Sequence, residues 1–372
     1  MTHLLGMAVA ALMMSAALPL SAQTLIADTV SFQLAKVEKV LSTETELIPG
    51  TVTTVSLQTL SLQVLEGPHK GELMTLQNER GPLKAGDRVY LRHTVNVDEH
   101  LDTWSVGEPY RLPVILFIVA LFVACICIFG GMQGIRGLVA LIGSLFFISV
   151  FLLPGILHGY SPVLVSMGVS ALIIVLGSYV THGFNRTTSA AVVGMLITIG
   201  ITGAFAFWSI DAAHLTGFAS EETTYLNFGT AGSIDFVGLL LGGIMIGLLG
   251  VLYDAAIGQA VAVEELLRAG INSRKHLYAR GLRIGREHIG ALVNTLAIAY
   301  VGASLPLLLL LQISGNTNPA MTLNQELFAS EIVRTMVGSI GLILAVPITT
   351  LVAVYLLWGR IKHEPGAPVH HH

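Results

Sequence analysis

The residue best placed to do chemistry is Asp254, which lies past the midpoint of the apolar run Phe236–Val263. Gly243, Gly247 and Gly250 precede it at i−11, i−7 and i−4, and Gly258 follows at i+4. On a helix all four glycines share its face. Gly243-x-x-x-Gly247 is a close-packing signature of membrane helices, which predicts that this face meets a neighbouring helix rather than lipid. An isolated charged carboxylate at such depth costs roughly 2.5–3.5 kcal/mol on insertion scales, so the neutral acid is cheaper there. A group that takes up and releases a proton inside a bilayer is what a proton carrier requires. The competing reading is a hydrogen-bonded or protonated acid that only ties helices together.

Residues that could support such a site come from two later apolar runs. Gly290, Asn294 and Ala297 share a small face, and Asn294 is expected to donate a hydrogen bond to the Asp254 carboxylate. Gly338, Gly341, Ala345 and Thr349 make a second small-residue face at i, i+3, i+7 and i+11. Pro347 removes one ladder bond and crowds the carbonyl of Ile343, which predicts a kink in mid-membrane. Glu331 and Arg334, at i and i+3, read as a local ion pair and a candidate outer gate.

The elements that must position these residues are transmembrane helices. A hydrophobic share of 53% with 11% charged residues, and a mean hydropathy of +0.75, exclude an ordinary soluble globule. Seven apolar spans follow residue 111: Leu112–Phe129, Leu138–Leu153, Pro162–Val180, Ser189–Trp208, Phe236–Val263, Ile289–Leu311 and Ile332–Leu357. Most are long enough to cross ~30 Å of hydrocarbon, which takes roughly 17–25 residues. The loops at 154–161, 209–235 and 312–330 hold no Lys or Arg. The opposite loops hold Arg136, Arg186, Arg268, Arg274, Lys275, Arg280, Arg283, Arg286, Arg360 and Lys362. By the positive-inside rule the second set is cytoplasmic, which puts the segment before Leu112 outside and the C-terminus inside. The cationic stretch from Glu264 to His288 reads as an orientation signal that touches anionic lipid headgroups.

The expected organisation has four parts. Residues 1–22 carry an apolar core, Leu4–Leu20, before Ser21-Ala22-Gln23, and read as a signal peptide or, if uncleaved, as a signal anchor that makes an eighth span. Residues 23–110 form short β-branched runs (Val30–Val40, Thr51–Leu57, Thr59–Leu65, Glu72–Gln77 and Arg88–Val95) separated by turn signals such as Pro49-Gly50 and Gly86-Asp87. Five or six such strands predict a small all-β, OB-like barrel outside the membrane. It has no basic and aromatic stripe, so a structural cap or docking module fits better than a nucleic-acid binder. Residues 111–362 are the helical bundle, and 363–372 a tail whose three histidines, His370–His372, resemble a tag remnant.

Other chemistry is poorly represented. Cys125 and Cys127 are at i, i+2 on one helix and point to different faces, so they read as packing residues. The acidic loop at 209–235 matches no metal template, and no metal or cofactor is expected. No nucleotide loop, nucleophile with its base or zinc protease motif is present, so no enzyme activity is expected. His158, His182 and His214 fall near span ends and read as interfacial.

Val64-Leu65-Glu66-Gly67-Pro68-x-Lys70-Gly71, Gly86-Asp87, Gly250-x-x-x-Asp254 with Glu264-Glu265-Leu266, and Asn294-Thr295-Leu296-x-x-Ala299-Tyr300-x-Gly302 form an ordered set. That set resembles the YibE/F-like family of bacterial multi-span membrane proteins. The resemblance implies an inner-membrane protein of permease type with no defined substrate. The Gly250-x-x-x-Asp254 segment with its cationic sequel is also similar to the proton-relay span of SecD/SecF and other RND-type proteins. Those proteins pair two halves, so that likeness implies a homodimer or a related membrane subunit. The expectation is thus a proton-coupled transporter of a small solute with Asp254 as the carrier. The alternative is a non-transporting assembly or export accessory whose β domain docks a partner.

Overall fold

The computed structural model describes residues 29–47, 50, 54–96, 101–314 and 318–361. The expected signal at 1–22 and the tail at 363–372 lie outside the described residues. The chain divides into two compact units between Cys125 and Ile126, and each is described by itself.

The first unit contains a five-stranded antiparallel sheet, β1 (Thr29–Leu47), β2 (Thr54–Val64), β3 (Leu73–Asn78), β4 (Arg88–Asn96) and β5 (Leu101–Pro109), in the order β3-β2-β1-β4-β5. The 19-residue β1 serves two neighbours: Thr29–Lys36 pairs with β4 and Ala35–Leu47 with β2. Bulges between Val37 and Lys39 and between Val40 and Ser42 bend the strand. Alternation puts Ala35, Val37, Leu60, Leu62, Val64, Val89, Leu91 and Val106 on one inner face, all buried.

Of two expected strands, Thr51–Leu57 and Thr59–Leu65, the described residues 54–64 form the single strand β2, because Gln58 is not a break. Its buried amide accepts from the Leu83 N–H at 2.7 Å and donates to the Leu83 carbonyl at 3.1 Å. β5 escapes the alternation rule because Gly107 interrupts it. A Cβ there would lie 2.7 Å from the Tyr90 carbonyl oxygen, so the close strand approach needs glycine. At the end of β5, Arg111 and then Arg80 hold the exposed Glu108 carboxyl below its ordinary range, at 2.8 and 2.5 Å.

The helical elements are α1 (Leu112–Phe147), a π-turn at Ile148–Leu152, α2 (Leu153–Leu157), α3 (Pro162–His182), α4 (Arg186–Ala212), α5 (Glu221–Gly229), α6 (Phe236–Arg268), α7 (Arg274–Ala303), α8 (Leu305–Ser314), α9 (Pro319–Leu323) and α10 (Glu326–Leu357). Among the described residues five helical runs are long and apolar enough to cross a membrane, or six if the bent pair α7–α8 is one span. Seven were expected. The first two expected spans form one 46-residue run, Leu112–Leu157, with no loop around Arg136. Its helical backbone breaks at Gly131 (φ 53, ψ −141), and a Cβ on Gly134 would lie 2.5 Å from the Ile126 carbonyl oxygen. Glycine is therefore the residue type that fits this bend.

Three further boundaries differ from expectation. The polar stretch 264–288 is helical except at 269–273. Leu277, Gly281 and Gly285, at i, i+4 and i+8, are buried, which pins the cationic first turns of α7 to the bundle. The expected sixth span is broken at Ser304 by a 68° bend. α10 runs as one helix from Glu326 to Leu357 through Pro347, so no interruption of the helix marks the proline.

The core lies among α4, α6 and α10. Gly194 of α4 faces Thr349 of α10, and Gly341 of α10 faces Thr202 and Leu248. The small-residue face of α10 thus packs as expected, with Gly341, Ala345 and Thr349 buried. Large side chains from α6 (Leu241, Met245, Leu248 and Leu252) fill the space these small residues leave.

Candidate functional site

Asp254 sits on the opposite side of α6 from that core. Met245, Leu248, Leu252, Ala256 and Ala260 turn inward, and the row Gly243, Gly247, Gly250, Asp254 and Gly258 turns outward. This corrects the expected close packing of the glycine face. A Cβ on Gly243, Gly250 or Gly258 would meet nothing within 4 Å, and one on Gly247 would meet the Tyr300 hydroxyl of α7. Gly247 thus keeps the expected close neighbour, while Gly238 and Gly242 seat Pro162 and Ser166 of α3. Bulk decides between the two faces. Burying the leucines and methionine against α4 and α10 gains more contact than burying bare backbone. At Gly243, Gly250 and Gly258 the α6 backbone is left uncovered.

Asp254 lines a cleft of about 300 Å³ between α6, α7 and α10, together with Gln259, Gly285, His288, Leu292 and Val346. Asp254 has no hydrogen-bond partner among the described residues, so its carboxylate faces the cleft free of a structural tie. Asn294 is exposed and makes no bond to it among the described residues, which corrects the expected contact. At about 100° per residue, Asn294 points roughly 150° away from the mean direction of the Gly285–His288–Leu292 row that lines the cleft.

Polar residues to which the sequence analysis gave no role at this site lie around Asp254. Gln259, almost fully buried, donates from Nε2 to the Gly281 carbonyl and to the Thr350 hydroxyl, each at 2.7 Å. Thr350 in turn donates to the Val346 carbonyl at 2.6 Å. The Gln259 amide oxygen is left toward Gly285, where a Cβ would come within 2.6 Å of it. His288 lines the same cleft from α7. On the other side, His182 at the end of α3 lies within electrostatic reach of Asp254, and its ring centroid is 5.8 Å from that of Tyr253. His182 also lines a smaller pocket of about 120 Å³ with Glu264, whose carboxylate accepts from the Thr187 hydroxyl and pairs with Arg268 at 2.7 Å. Asp254 therefore lies between two histidines, each at a cavity. The 72 and 34 residues of chain separating Asp254 from these histidines hide that arrangement from any local motif.

Gln259→Leu is expected to remove both buried amide hydrogen bonds, to the Gly281 carbonyl and the Thr350 hydroxyl, at a cost of about 1–3 kcal/mol in all. The thermal midpoint of the purified protein in detergent should fall accordingly. An unchanged midpoint would show that the amide bonds contribute nothing net.

Glu331 and Arg334 form the expected pair, at 3.4 Å, and Glu331 also accepts from the Ser304 hydroxyl at 3.2 Å. They line a separate cavity of about 560 Å³ at the break between α7 and α8. Cys125 and Cys127 are free thiols. Thr349 is fully buried and its hydroxyl has no partner among the described residues.

The family described as YibE/F-like protein matches residues 118–359, which cover the helical elements from within α1 to the end of α10. The match leaves the sheet outside it, including Val64–Gly71 and Gly86-Asp87, so the resemblance rests on the helical motifs around Asp254 and Asn294. No curated protein and no solved structure matches the chain. With most of its length inside that match and its apolar helices long enough to cross a bilayer, the chain belongs to the YibE/F-like family of membrane proteins.

Proposed function

We propose that the protein is an inner-membrane permease that couples proton movement to transport of a small solute, with Asp254 as the proton carrier. The observation that carries this reading is the free carboxyl of Asp254 in a cleft of about 300 Å³, within the apolar helix Phe236–Arg268. A carboxyl whose only task was to tie helices would be hydrogen-bonded into the core. This one faces open space with histidines to either side, the arrangement a group needs to exchange protons with water.

The topology proposed with it has seven spans after a signal sequence at 1–22. A straight helix of 46 residues would be about 69 Å long at 1.5 Å per residue, more than twice the ~30 Å of hydrocarbon. Leu112–Leu157 is therefore read as two spans that fold back at Gly131. The sheet lies outside, and its order, with a long β1 shared by β2 and β4, supports an OB-like cap. The α7 cations Arg274, Lys275, Arg280, Arg283 and Arg286 then meet the cytoplasmic lipid surface. The membrane partners are the bilayer and a second copy or related subunit.

Reconstitution in liposomes tests the function. With a pH gradient imposed across vesicles containing a pH-sensitive dye, the protein should dissipate the gradient faster than empty vesicles do. Equal rates, with or without a solute panel present, would leave the non-transporting accessory reading in its place.

A further inference from the structure

The cavity of about 560 Å³ at the α7–α8 break carries charges that the proton pathway does not use. Arg334, Glu331 and Glu222 all line it, together with Ser304, Phe236 and Leu240. Its volume lies in the range of small-molecule sites, roughly 300–1,000 Å³. Broken helices are where transporters put irregular backbone around a solute, and the 68° bend at Ser304 is such a break.

The guanidinium is the informative group. Its Nη1 is 3.4 Å from Glu331, longer than the ~2.7–2.9 Å of a strong charge-assisted hydrogen bond. Its Nε is buried without an acceptor among the described residues. A guanidinium kept for structure would have its fork filled, because an unsatisfied buried donor is costly. Among the described residues one loose ion-pair contact holds a group with five donors, so most of the fork is unassigned. Glu331 is steadied by the Ser304 hydroxyl rather than drawn fully onto Arg334. Glu222, in the first turn of α5, is held ionised by a hydrogen bond from Ser220, which lowers its carboxyl below the ordinary range. One cavity thus offers an under-filled cationic fork, two carboxylates and an apolar wall from Phe236, Leu239 and Leu240.

We propose that this cavity binds a small amino-acid-like zwitterion, its carboxylate on the Arg334 fork and its ammonium between Glu331 and Glu222. The assignment rests on the transporter reading and names its substrate class. A simple anion would leave two carboxylates facing its tail. A simple cation would leave the fork as empty as it is now.

The full-length purified protein in detergent tests this by calorimetric titration with three sets of probes. The first is a panel of α- and ω-amino acids of increasing charge separation. The second is acetate and butyrate, and the third ethylamine and butylamine. At least one amino acid should bind, and the acids and amines should bind about tenfold or more weakly. Arg334→Gln should weaken binding by about tenfold or more, the loss expected of a bidentate charge-assisted contact. Arg334→Lys, which keeps the charge but not the fork, should also lose affinity and covers the case in which Arg334→Gln does not fold. The assignment is overturned if no amino acid binds, if acids or amines bind as well, or if both Arg334 variants bind unchanged. Proton flux in liposomes is read separately, so loss of this assignment leaves the Asp254 reading to its own test.

Discussion

Asp254→Asn should reduce proton flux in liposomes to that of empty vesicles, a loss of about a hundredfold or more if the residue is the carrier. The substitution preserves shape and removes only the capacity to exchange a proton. It should not unfold the protein, because Asp254 has no hydrogen-bond partner among the described residues and faces a cleft rather than the core. Asp254→Glu, which lengthens the side chain by one methylene inside about 300 Å³ of space, should keep part of the flux. The same pair of variants separates the two functional readings in cells. A proton-coupled transporter should lose its dependence on the pH gradient in the asparagine variant. A docking accessory should work as well with asparagine as with aspartate, because its partner would be met by the sheet.

The second large effect is on folding. Gly194→Leu or Gly341→Leu should prevent α4 and α10 from meeting, and purified yield should collapse. At Gly194 even a Cβ comes within 3.0 Å of the Thr349 Cα, and at Gly341 within 2.7 Å of the Thr202 Cγ2 and 2.9 Å of the Leu248 side chain. Backbone cannot step aside as a side-chain tip can, so Gly194→Ala alone should cost about 1–3 kcal/mol in overpacking strain. Gly250→Ala, which meets open space, should leave the thermal midpoint within experimental scatter. If Gly250→Ala destabilised the protein and Gly194→Ala did not, the assignment of packed and open glycine faces would have to be exchanged.

That contrast shows what could be read from the residues and what could not. Apolar run length located the helices because every backbone group in hydrocarbon must be bonded within its own segment, which makes long apolar runs helical almost without regard to neighbours. Small residues at i, i+3, i+7 and i+11 located the packed face of α10 for a similar reason, since few other arrangements exploit them. The glycines of α6 were ambiguous in a way no spacing rule resolves. Gly238 and Gly242 lie on one face and Gly243, Gly247 and Gly250 on another, and both have the spacing of a close-packing motif. Only the positions of Pro162, Ser166 and the α10 small residues decide which row is covered.

The site around Asp254 was legible as one residue. Its surroundings, His182 on α3, His288 on α7 and the Gln259–Thr350 bond to α10, depend on tertiary geometry across four helices. Asn294 was misassigned because depth along a helix was used without its angular phase. Gln58 and Gly107 explain the two errors in the sheet: a buried glutamine that bonds a loop backbone breaks no strand, and a glycine inside a strand marks a close approach rather than an end.

The most direct measurement of the central claim is infrared difference spectroscopy of the reconstituted protein across a pH titration. The account predicts a carboxylic-acid carbonyl band that converts reversibly to carboxylate over the pH range in which the protein moves protons, and that is missing from the Asp254→Asn variant. A spectrum in which no such band is lost with Asp254→Asn, while proton flux is still present, would contradict it.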